Sequence, residues 1–238
     1  MNKLSLILSA AVITTMMIAG CGGSSYEEVE IGDQVWMTEN LNVEKFRNGD
    51  PIPHANAISK WRKAGLEEQP AWCYYDNDPA NGEKYGKLYN WYAVNDLRGL
   101  RPEGWKIPSK EDWKALENYL GDEAETKMKS TTGWEKDSNG TNSSGFSGLP
   151  DSAIGTGTIR VKNNFNFVGL GLTALWWSST GRQETAYYQV IEYDGRGGVS
   201  QDLNKLHGLS VSCLRDSDTL TIWSMGEVPS NFFENMKI

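Results

Sequence analysis

The chain has 238 residues and a net charge of −8, with 31 Asp and Glu against 23 Lys and Arg. An acidic balance without a basic run or stripe excludes nucleic acid as a partner and excludes electrostatic capture by anionic lipid. The length suits one generous domain or one domain with a tail. Ten Trp and ten Tyr concentrate the apolar material in large rings with polar handles, which serve cores and sugar-facing surfaces alike.

The first residues read as a signal peptide over 1–20: Lys3 supplies a positive start, Leu4 to Ala19 form an apolar run, and small residues follow. A membrane-spanning anchor is the competing reading, but the run is short of the ~20 apolar residues that a span needs. Ile18-Ala19-Gly20-Cys21 resembles the lipobox of bacterial lipoproteins, which implies that Cys21 takes a diacylglycerol and becomes the mature N-terminus. Two or three acyl chains of palmitate length on one residue anchor a domain durably without spanning the bilayer. Gly22 follows where some lipoproteins carry an inner-membrane-retaining Asp, so the resemblance points to the outer membrane of the cell envelope, with the cell surface as one of its two faces. Residues 21–30 form a lipidated tether, 31–216 the domain and 217–238 a C-terminal extension.

With Cys21 lipidated, Cys73 and Cys213 remain. An even number outside the cytoplasm predicts a disulfide. The competing reading is two buried thiols, because Cys is among the most buried residue types even unpaired.

Along the chain, Ala55 to Gly65 suits a helix with Ile58, Trp61 and Arg62 on one face. A second helical stretch runs from Leu88 to Asp96. The clearest helix starts at Ser109, where Ser-Lys-Glu-Asp forms a capping box and Trp113, Leu116 and Leu120 recur at helical spacing before Gly121. Trp134 to Gly171 reads as long loops with short strands. Trp176–Thr180, Thr185–Asp194, Val199–Leu203 and Leu209–Leu214 are strand candidates, and period two turns Leu209, Val211 and Cys213 to one face. Helices first and antiparallel strands last predict an α+β domain.

Trp72-Cys73-Tyr74-Tyr75-Asp76-Asn77-Asp78, Tyr85-Gly86-Lys87-Leu88-Tyr89-Asn90-Trp91-Tyr92-Ala93, Gly104-Trp105-Lys106-Ile107-Pro108-Ser109 with Trp113, Trp176-Trp177-Ser178-Ser179-Thr180 and Ser210-Val211-Ser212-Cys213-Leu214-Arg215-Asp216 resemble, in this order, the Fibrobacter succinogenes major paralogous domain family. The resemblance covers roughly Ile31 to Asp216. It implies a C-type-lectin-like fold with two main helices, antiparallel strands and a long loop region, in exported or lipid-anchored proteins without an established enzymatic activity. The chain departs from the family after Leu149-Pro150, where Asp151-Ser152-Ala153-Ile154 replaces a Gly-Gly-Tyr-Arg-like segment.

Enzymatic signals are weak: there is no H-E-x-x-H, G-x-S-x-G or C-x-x-C, and His54 and His207 are the only imidazoles. No catalytic residue is assigned, and an enzyme of formylglycine-generating type, using Cys73 and Cys213 as a redox pair, ranks last. No cofactor is required. Calcium is the ion a lectin-like fold raises, and Asp76 with Asp78, and Asp137 with Asn139, supply hard oxygen ligands in loops, although ordinary Asx turns explain them as well. The best sugar-binding candidates are Trp176, Trp177, Tyr187 and Tyr188, with Asp194, Asp202 and Asn204 in the turns beyond. At most one of each aromatic pair can face outward from a strand, and core packing is the alternative for all four. The expected function is a lipid-anchored envelope module that binds a glycan or an envelope protein. The alternative is a structural or adhesion component of a fimbria-like assembly.

Overall fold

The computed structural model describes residues 26–151, 153–156 and 165–216. The signal peptide, the lipidation of Cys21, the extension 217–238 and the side chain of Asp202 lie outside the described residues. No helix among the described residues is long and apolar enough to cross a membrane.

The domain is α+β, with three antiparallel sheets and few helices. β1 (Glu28–Ile31) and β2 (Gln34–Met37) form a hairpin. The tether expected up to residue 30 therefore already belongs to a sheet from Glu28 onward. α1 (Ile58–Leu66), β3 (Trp72–Cys73) and α2 (Pro79–Tyr85) follow. Next come β4 (Leu88–Asn90), α3 (Trp91–Val94) and β5 (Trp105–Lys106). Then α4 (Lys110–Leu120) and α5 (Ala124–Met128) precede β6 (Ala153–Thr156) and β7 (Phe165–Val168). The long strands β8 (Thr173–Gly181), β9 (Thr185–Glu192) and β10 (Gly198–Asn204) form a meander, and the short β11 (Gly208–Leu209) and β12 (Leu214–Arg215) end the domain.

Sheet order is β1-β2-β12-β5, β10-β9-β8 and β3-β4-β11-β6-β7. The N-terminal hairpin thus pairs with the last strand, Leu214 lying opposite Trp36, so the expected order of helices first and strands last is incomplete. Early strands of two to four residues are too short to display an alternation. The Leu88–Asp96 helix is likewise corrected: Leu88 and Tyr89 pair with β3, and the helix begins only after Asn90. Asn90 is the hinge, since its Oδ1 accepts from Ala71 N and Ala93 N at 3.0 Å each, while its Nδ2 donates to Gln69 O at 2.7 Å. One side chain closes a strand pair and caps a helix.

The capping box of α4 forms as the sequence predicts. Asp112 N donates to Ser109 Oγ at 3.1 Å, and Ser109 N donates to Asp112 Oδ2 at 2.8 Å. Trp113, Leu116 and Leu120 are buried on the inner face. Burial pushes the Asp112 carboxyl up, but hydrogen bonds from Ser109 and Lys106 outweigh it and hold the group below its ordinary value.

Three apolar clusters make the core. One lies between α4 and the sheets and contains Trp36, Trp113, Phe146 and Trp176. A central one contains Trp72, Tyr89, Trp177, Leu209, Val211 and Cys213. A third lies under α1 and contains Trp61, Cys73, Leu88 and Ile154. The last two occupy opposite faces of the five-stranded sheet: Trp72 pairs with Tyr89 on one face and Cys73 with Leu88 on the other. That alternation overturns the disulfide. Cys213 faces the central cluster as its spacing predicts, but Cys73 points through the sheet to the opposite side, and both thiols are free and buried.

Candidate functional site

The aromatic pair expected on β8 is sealed. Trp176 is 1% exposed and Trp177 0%, because β8 is covered on both sides. Trp176 packs toward α4 and Trp177 into the central cluster. Their ring nitrogens are committed, Trp177 Nε1 to Tyr89 O at 2.8 Å and Trp176 Nε1 to Asn40 Oδ1 at 2.7 Å. Tyr187 and Tyr188 are half-buried. Lys110 Nζ lies 4.7 Å from the Tyr187 ring centre and the Arg182 guanidinium 5.5 Å, while Tyr188 packs against the central cluster. Asp194 pairs with Arg196, and Asn204 Oδ1 accepts from Leu206 N at 2.9 Å. These residues stabilise strands and turns.

The calcium candidates also have local work. Asp78 Oδ1 caps α2 by accepting from Ala80 N at 3.0 Å, and Asn139 Oδ1 accepts from Trp134 N at 3.0 Å. Asp76 and Asp137 are exposed at φ of 54° in turns. Among the described residues no three His, Cys, Asp or Glu side chains converge as a metal centre requires. The two imidazoles are also apart in use. His54 stacks on Trp72 with ring centres 3.9 Å apart, whereas the His207 ring contacts the Asn204 carbonyl at 2.9 Å. Burial lowers the pKa of both.

The concave site lies elsewhere, in a cleft of about 510 Å³ between the segment after β2, the end of α2 and the loop before Pro150. Two asparagines build it. Asn40 Nδ2 donates to Tyr85 O at 2.9 Å and to Asp151 Oδ2, and its Oδ1 holds the Trp176 indole. Asn42 Nδ2 donates to Gly82 O at 3.1 Å. Two amides therefore clamp the C-terminal end of α2 against the 40–42 segment. The close approach needs glycine. A Cβ on Gly82 would sit 2.1 Å from the Tyr74 ring, and one on Gly86, at φ of 76°, would sit 3.0 Å from Leu41 O.

Below the clamp, Asp151 is 1% exposed and also accepts from the Ser210 hydroxyl. Where the chain departs from the expected family pattern, Asp151 is thus a buried anchor. Beside Asn42, Lys87, 3% exposed, points its Nζ at Asn42 O and Glu44 at 3.2 and 3.5 Å, 4.6 Å from the Trp72 ring centre and 4.9 Å from that of Tyr74. Burial draws the Lys87 ammonium down while Glu44 opposes it. Of the cleft lining, Trp176, Phe146 and Ser212 are buried, and Glu39, Glu83 and Lys84 are exposed at its mouth. The one visible sequence signal was Asn40-Leu41-Asn42, where period two sends both amides to one side of a buried Leu.

An α+β domain of stapled antiparallel sheets, with a polar cleft walled by loops, is the class these features define. The chain belongs to the Fibrobacter succinogenes major domain family, whose model matches residues 29–215. No curated protein and no solved structure gives a match.

Proposed function

We propose that this protein is a binding module of the cell envelope, anchored by lipid at Cys21 with a C-type-lectin-like fold, and that the cleft receives a saccharide. The observation that carries the reading is the cleft itself, whose size suits a small ligand. Its lining alternates apolar rings (Tyr26, Phe146, Trp176) with amides and hydroxyls (Asn40, Ser130, Ser147). Sugars present the same alternation, C–H faces that lie on rings and hydroxyls that find polar partners. The anchor rests on the lipobox-like Ile18-Ala19-Gly20-Cys21, and the lectin-like fold on the family resemblance together with the observed mixture of helices and antiparallel sheets. Binding is favoured over catalysis because both imidazoles are engaged in packing outside the cleft lining.

Two measurements test the reading. Cells fed an alkyne-labelled fatty acid should label the wild-type chain and leave a Cys21→Ala variant unlabelled; label on both would remove the anchor. The purified full chain should bind glycans on an array, and Gly82→Val, which drives a side chain from the cleft wall into the Tyr74 ring, should abolish that binding. Stoichiometric envelope proteins on the purified chain, without glycan binding, would establish the assembly component instead.

A further inference from the structure

Ser212 is the one cleft-lining side chain that is both deeply buried and uncommitted. The residue is 2% exposed, and its Oγ has no hydrogen-bond partner among the described residues. Its direction follows from the alternation of burial between β11 and β12, where Leu209, Val211 and Cys213 face one cluster and Leu214 the other. Val211 and Cys213 point into the central cluster, so Ser212 points the other way, the side on which Ser210 meets Asp151 and on which the cleft opens. A buried hydroxyl without a partner is unfavourable by itself, and here it lines a cleft to which Trp176 and Phe146 also contribute.

We propose that Ser212 is the specificity-determining hydrogen-bonding position of the cleft and that its ligand is a neutral sugar unit. The inference rests on the saccharide reading above and narrows it. A serine hydroxyl is at once donor and acceptor, which matches a sugar hydroxyl in either sense, whereas a carboxylate only accepts and an ammonium only donates. The charges at the mouth point the same way. Glu39 and Glu83 are exposed there, and Lys84, the single cation of the lining among the described residues, lies with its Nζ 4.7 Å from the neighbouring Tyr85 ring centre. In a chain of net charge −8, this mouth repels uronic and sialic acids and admits neutral hexoses and N-acetylhexosamines.

The test uses the full chain in detergent, with fluorescein-labelled neutral oligosaccharides (hexose and N-acetylhexosamine) and matched uronic-acid oligosaccharides as probes in fluorescence anisotropy. The proposal expects neutral probes to bind. Ser212→Ala should weaken them roughly five- to tenfold, the loss of one hydrogen bond, with an unchanged or higher melting temperature, because the substitution removes an unpartnered hydroxyl. Uronic-acid probes should bind at least tenfold more weakly, and Glu39→Gln with Glu83→Gln should narrow that gap. Neutral binding that Ser212→Ala leaves untouched, or a preference for acidic probes, overturns this inference and leaves the saccharide reading standing. Absence of binding by every probe overturns both.

Discussion

The β8–β9 strands and the cleft wall use polar and aromatic side chains in opposite ways. In β8, adjacent tryptophans point to opposite faces and both vanish into core, because α4 covers one face and the five-stranded sheet the other. At the cleft, the segment after β2 keeps the half-buried Asn40 and the exposed Asn42 tied to backbone carbonyls of α2, and the space they hold open is lined by polar groups and rings together. Aromatic density therefore marks where layers meet. Amides that clamp one segment's carbonyls mark where a concave surface is kept.

The contrast breaks most directly at Trp177. Replacing it with Ala should cost ~3–5 kcal/mol in urea unfolding, the range for truncating a large buried ring, and should leave the ligand preference of the folded fraction unchanged. A cost near ~0.5 kcal/mol, typical of surface sites, would mean that the β8 face is open. Asn40→Ala tests the other side. It leaves the Trp176 indole N–H and the Tyr85 carbonyl without the amide that joins them, which predicts a loss of ~1–3 kcal/mol together with lost cleft binding. Loss of stability with full binding would mean that Asn40 supports the core alone.

A smaller effect sharpens the same comparison at a place where sequence and structure agree. Ser109→Ala should destabilise by ~1 kcal/mol through the lost cap. The pH dependence follows from Asp112, whose folded carboxyl is held below its ordinary value of 3.8. A group depressed by folding contributes its stability above the unfolded value and loses it as pH falls through the folded one. The stability gap between wild type and Asp112→Asn should thus be constant above about pH 4 and should close in stronger acid. A gap that widens in acid would contradict the geometry.

These cases show why legibility was uneven. The α4 capping box, its apolar face and the inward turn of Leu209, Val211 and Cys213 were readable because each is a local periodicity. The family motifs were readable too, and the structure gives their reason. Asn90 joins β3, β4 and α3, Trp91 Nε1 reaches Ser178 O at 3.0 Å, and Lys87 caps the Trp72 and Tyr74 rings. These motifs specify a scaffold, so they drew attention to rings that turn out to be core. The cleft depends on contacts between residues far apart in the chain, such as Asn40 with Asp151 and Trp176, and neither spacing nor composition carries such pairs. Short strands escaped for a related reason. β3 and β5 have two residues each, too few for a period to appear, and the single strand expected over Leu209–Leu214 is split into β11 and β12.

The smallest expected effect concerns the two thiols. Even parity, in the oxidising compartment that the sequence leads one to expect, argued for a bond, but parity counts residues, and a β-sheet sorts them by face. Cys73 lies with Leu88 and Ile154 on one side, Cys213 with Tyr89 and Val211 on the other, and a disulfide needs Cα atoms about 4.4–6.8 Å apart with side chains directed at each other. Burial also keeps both thiols protonated, raising Cys73 well above its ordinary value and Cys213 to about 12. Dithiothreitol should therefore leave the melting temperature of the wild-type chain unchanged. A thiol reagent should modify neither cysteine in the folded domain, and both in urea. A disulfide closing so long a loop would contribute ~4–5 kcal/mol on the chain-entropy model. A fall of many degrees on reduction would therefore show that the sheet does not separate the pair, and would also undo the assignment of β3 to the wall between the two clusters.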